Sequence, residues 1–91
     1  MKMLFMNLYS WDNEKRDEII TRRVEKGTMV PDGVKILGEW TAVGRNQGVM
    51  ICECDDPTKL SQFNLAWSDI LNSDIMLALD TEKDLIDLLK G

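Results

Sequence analysis

The chain has 91 residues, with 11 Lys and Arg against 16 Asp and Glu for a net charge of −5. That length suits one domain over residues 1–91, near the lower end of sizes that bury a core alone, and an apolar fraction of 44% is ordinary for a globular chain. The acidic balance, with most basic residues interleaved among acids, speaks against a nucleic-acid partner, and no apolar run approaches the roughly 20 residues of a membrane span.

The first strand is expected over Met3 to Trp11. Its alternation puts Leu4, Met6 and Leu8 on one face and Met3, Phe5, Asn7 and Tyr9 on the other. The first set, purely aliphatic, reads as core. The second holds an amide and a phenol, which suits a surface meeting water or a ligand. A helix follows from about Asn13 to Lys26, capped by Ser10 or Asp12, with acids in its first turns and Arg22, Arg23 and Lys26 in its last. Ile19, Ile20 and Val24 give it a narrow apolar stripe, and Gly27 ends it.

Two apolar runs, Val34 to Val43 and Val49 to Cys54, flank Gly44-Arg45-Asn46-Gln47-Gly48 and read as a β-hairpin. Strict alternation groups Val34, Ile36, Gly38 and Trp40 against Lys35, Leu37, Glu39 and Thr41, while Gly38 leaves room for a bulge or a neighbouring aromatic ring. Cys52 and Cys54, two apart on a strand, point the same way and read as reduced thiols of a cytoplasmic protein. The N-terminus offers no cleavage site of the signal-peptide kind.

Asp56-Pro57 starts a second helix, in which Leu60, Phe63, Asn64, Trp67 and Leu71 recur at helical spacing. Asn72-Ser73-Asp74 is expected to break it, Ile75 to Leu79 to form a fourth strand, and Thr81-x-x-Asp84 to cap a last short helix. The order βαββαβ predicts an α+β, ferredoxin-like fold with a four-stranded antiparallel sheet. Right-handed crossovers put both main helices on one face. The other face, also apolar, then needs a partner, and a second copy of the chain is the expected one.

Tyr9-Ser10-Trp11, Glu25-Lys26-Gly27, Pro31-x-Gly33, Leu37-Gly38-Glu39-Trp40 and Leu65-Ala66-Trp67-Ser68-Asp69 resemble, in order and over nearly the whole chain, a family of short bacterial proteins known as domain of unknown function 3303. The resemblance implies the dimeric α+β barrel superfamily, in which two ferredoxin-like sheets pack face to face. Some barrel relatives are cofactor-independent mono-oxygenases or isomerases, and others bind or degrade haem. The resemblance brings no catalytic residues with it.

The residues themselves point away from most chemistry. The chain has no His and only two Cys, so a tetrahedral metal site, an axial haem ligand and a Ser-His pair all lack their donors. Neither Ser10 nor Ser68 lies in a nucleophile elbow, and Gly44 and Gly48 precede no helix that would make a phosphate loop. Glu39 and Glu53 read as rim carboxylates with a lesser claim as proton carriers. Asn7, Tyr9, Trp40, Phe63 and Trp67 form the sharper group: aromatic walls with a few polar atoms suit a small apolar or aromatic ligand, although Phe63 and Trp67 also suit a plain core. The expected protein is a homodimer that needs no metal or cofactor and binds such a ligand. The alternatives are a cofactor-independent mono-oxygenase or isomerase and a structural interaction module.

Overall fold

Strand-forming residues Met3–Ser10 open the chain as β1 in the computed structural model, which describes residues 2–90. Met1 and Gly91, the ends of the expected domain, lie outside the described residues. Strand β2 spans Val34–Thr41, β3 Gln47–Cys54 and β4 Asn72–Ala78. They pair antiparallel in the order β2-β3-β1-β4. A 3-10 turn at Asn13–Lys15 leads into helix α1, Arg16–Lys26, and helix α2 spans Thr58–Trp67. This is the ferredoxin-like α+β arrangement read from the sequence.

Register decides which face of the sheet is covered. Phe5, Asn7 and Tyr9 on β1 stand opposite Cys52, Met50 and Gly48 on β3, and cross-strand partners share a face. That face is buried under the helices in two clusters. Phe5, Val34, Cys52, Cys54 and Leu60 form one; Tyr9, Met50, Phe63, Trp67 and Ile70 form the other. Small residues such as Gly48 and Cys52 leave room there for the rings above them. The aliphatic set Leu4, Met6 and Leu8, which looked like pure core, instead lies on the side without helices, and Leu8 is 43% exposed. Alternation separates two faces but carries no sign, so it cannot say which one the helices take.

The alternation expected for β2 does not survive its length. Ile36 pairs with Cys52 and Gly38 with Ile51, so Leu37 is an extra residue and the strand bulges there. Beyond the bulge the faces exchange. Val34 and Ile36 share the helix side with Glu39 and Thr41, whereas Gly38 and Trp40 join Ile51 and Val49 on the open side. A Cβ on Gly38 would run into the Trp40 ring, so both uses foreseen for this glycine, the bulge and the seat for an aromatic, are realised.

Local signals were mixed at the element ends. Gly27 closes α1 with φ 68° and donates its N–H to the Arg23 carbonyl at 2.9 Å. Asp56 caps α2, accepting from the Thr58 N–H at 3.0 Å and the Thr58 hydroxyl at 2.7 Å. No Ser10 or Asp12 side chain caps the first turn. Asn72-Ser73-Asp74, expected as a break, begins β4 by pairing with Ser10, Tyr9 and Leu8, because an edge strand tolerates polar residues. At the C-terminus the cap is Asp80, one residue earlier than expected: it accepts from the Lys83 N–H at 2.9 Å while Asp84 accepts from the Asp80 N–H at 3.0 Å. A π-helical segment, Thr81–Ile86, then runs into α3, Asp87–Lys90. None of its residues is buried, and Leu88 and Leu89 remain 73% exposed.

Candidate functional site

Helix α1 stands off the sheet. Of its apolar stripe only Ile19 is half-buried, while Ile20 is 53% and Val24 79% exposed. Two sets of contacts fix the helix at that distance. Arg22 grips Asp69 just beyond α2 with paired hydrogen bonds of 2.8 and 2.7 Å, donates to the Ala66 carbonyl at 3.1 Å, and lies 5.6 Å from the Trp67 ring centre. Asp69 is held down at about 2 by that guanidinium. The Trp67 indole N–H donates to the Thr28 carbonyl at 2.8 Å, pinning the chain just after α1 to α2. Trp67 itself is 6% exposed.

Between α1, α2 and the sheet lies a cleft of about 620 Å³, lined by apolar atoms for most of its surface. Tyr9, Met50, Phe63 and Trp67 line it together with Ile19 and Trp11. Tyr9 and Trp11 stack at 6.1 Å between ring centres. Gly48 makes room for this: a Cβ there would stand 2.6 Å from the Tyr9 ring.

Three polar features belong to residues around the cleft. Asn7 is 7% exposed, and its side-chain oxygen has no hydrogen-bond partner among the described residues. An unpaired buried acceptor costs about 1–3 kcal/mol. The Trp11 indole N–H is likewise unpartnered. Last, the Tyr9 hydroxyl donates to Glu39, and Arg23 holds both oxygens of the same carboxylate, one of them at 3.1 Å. Burial pushes the Tyr9 phenol well above its usual range, and the hydrogen bond to Glu39 adds to this. At Glu39 burial acts upward too, but the hydrogen bonds from Arg23 and Tyr9 outweigh it and leave the carboxyl below its usual range.

Of the five residues expected at the site, the structure brings Asn7, Tyr9, Phe63 and Trp67 together. Trp40 is not among them: the bulge turns it to the open face, where it is 60% exposed. The same bulge delivers Glu39 to the cleft, while Glu53 stays on the open side, 3.6 Å from Lys2. Sequence reasoning missed Arg16, Arg23 and Arg45 as lining residues. The spacing Arg16, Ile19, Arg23 was the available signal, since residues three, four and seven apart share one helical face. Cys52 and Cys54 are free and buried in the neighbouring cluster, and burial followed by the Cys54 charge raises the Cys52 thiol.

The chain matches, over residues 3–90, the family described as Domain of unknown function (DUF3303). It belongs to that family. Several words by which it resembles the DUF3303 proteins meet at the cleft: Tyr9 and Trp11, Glu39, and Trp67. The fold is similar to that of an uncharacterized NIPSNAP-like domain protein from Burkholderia xenovorans, with TM-score 0.52 and 14% identity over 87% of this chain and 86% of that one. A NIPSNAP family protein from Agrobacterium tumefaciens gives TM-score 0.53 and 14% identity over 87% of each chain. At such identity the likeness concerns the fold alone. No curated protein matches the chain.

Proposed function

We propose that this DUF3303 protein binds a small, largely apolar ligand in the cleft between α1, α2 and the sheet. The observation that carries the reading is the cleft itself: about 620 Å³ of space, apolar over most of its wall. Ligand sites of about 300–1,000 Å³ with a few placed polar groups have this form. Binding without turnover is the better description of such a site. A general base works best near neutral pH, and Glu39, drawn down by Arg23 and Tyr9, is a weak one. The Tyr9 phenol, held by Glu39 and shifted upward, is a weak acid. A screen of aromatic metabolites and quinones, read by thermal shift and tryptophan fluorescence, tests this. Compounds that raise Tm and are recovered unchanged are expected. Aerobic consumption without added cofactor would replace the binding reading with the mono-oxygenase or isomerase alternative, and a screen in which nothing binds would leave an interaction module.

The working unit in this proposal is a homodimer closed through the open sheet face. Leu4, Met6 and Leu8 on β1, Val49 and Ile51 on β3, Trp40 on β2 and Met76 on β4 put apolar side chains on that face from all four strands, with the charged Lys35, Glu53 and Asp74 among them. Its strands are seven or eight residues long, so the face runs about 25 Å along the chain direction. A second copy presents the same apolar surface and satisfies it without any further partner. The free thiols Cys52 and Cys54 fit a reducing, cytoplasmic setting.

A further inference from the structure

The charge around the cleft runs against the charge of the chain. The sequence carries −5 overall, yet Arg16, Arg23 and Arg45 line the cleft against a single carboxylate, Glu39. Arg23 is spent on Glu39. The other two arginines are not matched in this way. Arg45 makes no ion pair among the described residues, and Arg16 meets only Asp17, at 3.6 Å, where the acid is 91% exposed and the pair is weak.

These two arginines are brought to one end by the backbone. The Trp11 N–H donates to the Asn46 carbonyl at 3.1 Å, and the Asn46 side chain donates to Asn13, so the hairpin loop is tied to the turn that starts α1. Arg45 and Arg16 flank that tie. The cleft thus has a cationic end and an apolar middle walled by Phe63 and Trp67.

Resting on the cleft-binding reading above, we infer that the ligand is an aryl carboxylate, its carboxylate at Arg16 and Arg45 and its ring against Phe63 and Trp67. A guanidinium fork matches a carboxylate in plane and in charge.

The test compares two probes of one shape by isothermal titration: para-hydroxybiphenyl carboxylate and its neutral carboxamide. The wild-type chain should bind the carboxylate about tenfold more tightly, with the margin shrinking as salt rises. An Arg16→Gln/Arg45→Gln double variant, altered only at exposed side chains, should bind both probes equally and keep the wild-type Tm. Equal binding of acid and amide by the wild type, or a preference that survives the double variant, would overturn the anionic assignment while leaving the cleft as a neutral site. If neither probe binds and neutral biphenyl fails as well, the cleft reading falls with it.

Discussion

Trp67 joins packing and hydrogen bonding in one side chain. Its ring is buried against Tyr9, Met50 and Phe63, and its N–H holds the Thr28 carbonyl. Trp67→Ala should cost about 3–5 kcal/mol, the range for deleting a large buried aromatic. Denaturant melts measure it directly, and a loss below about 1 kcal/mol would mean the ring is not part of the core. Glu39 gives a second prediction, in pH. Its folded pKa lies below the ordinary carboxylate value, so its contribution to stability is present above that ordinary value and is lost as pH falls through the folded one. Glu39→Gln should therefore flatten part of the acid limb of a stability-versus-pH curve. If the variant keeps the wild-type slope there, the Arg23–Glu39–Tyr9 linkage contributes nothing to acid stability. At this scale Asn7, Tyr9, Phe63 and Trp67 were legible in the sequence, because aromatic and amide types on an apolar run are themselves the signal. Glu39 and Trp40 were not. Their places depend on a bulge at Leu37, and a bulge is an extra residue only relative to a partner strand.

Helix α1 is held by its arginines more than by its apolar stripe. Arg22 latches it to Asp69 and Ala66, Arg23 to Glu39, while Ile20 and Val24 remain largely in solvent. An element with few buried apolar contacts opens at low free energy. Arg22→Ala should raise amide exchange across residues 16–26 well above that of β1 and β3, with the sheet little changed. Exchange that rises equally in helix and sheet would show that α1 unfolds only with the whole domain. The sequence disclosed the helix, its Gly27 stop and its acidic start. It could not disclose that the stripe would stay half-bare, since that depends on how far the bulky ring of Trp67 and the Arg22 latch prop α1 away from β1.

The whole molecule measures 49 × 30 × 17 Å, and its short dimension is that of one helix layer on one sheet. A sheet covered on one side, with Met6, Ile51, Val49 and Trp40 on the other, is the basis for expecting a dimer. Size-exclusion chromatography with light scattering should give twice the chain mass at micromolar concentration, with more than about 2,000 Å² buried in total. Met6→Asp/Ile51→Asp, facing each other across β1 and β3, should shift the species to monomer. A wild-type monomer under those conditions would end the dimer proposal.

The sequence by itself determined the element order, the antiparallel hairpin, the ferredoxin-like topology and the family. Strand period, helix period, turn residues and capping are interactions within a few residues of chain, and the handedness of crossovers then leaves few arrangements open. Tertiary structure alone decided which apolar face took the helices, where the β2 register slipped, and that the C-terminal leucines would be left in solvent. Those outcomes compare distant segments with one another. Gly48 under Tyr9, Leu37 against β3 and Arg22 against Asp69 each join residues far apart in sequence. The cleft is the product of those long-range contacts, so its arginines and Glu39 come together only once the strands have paired.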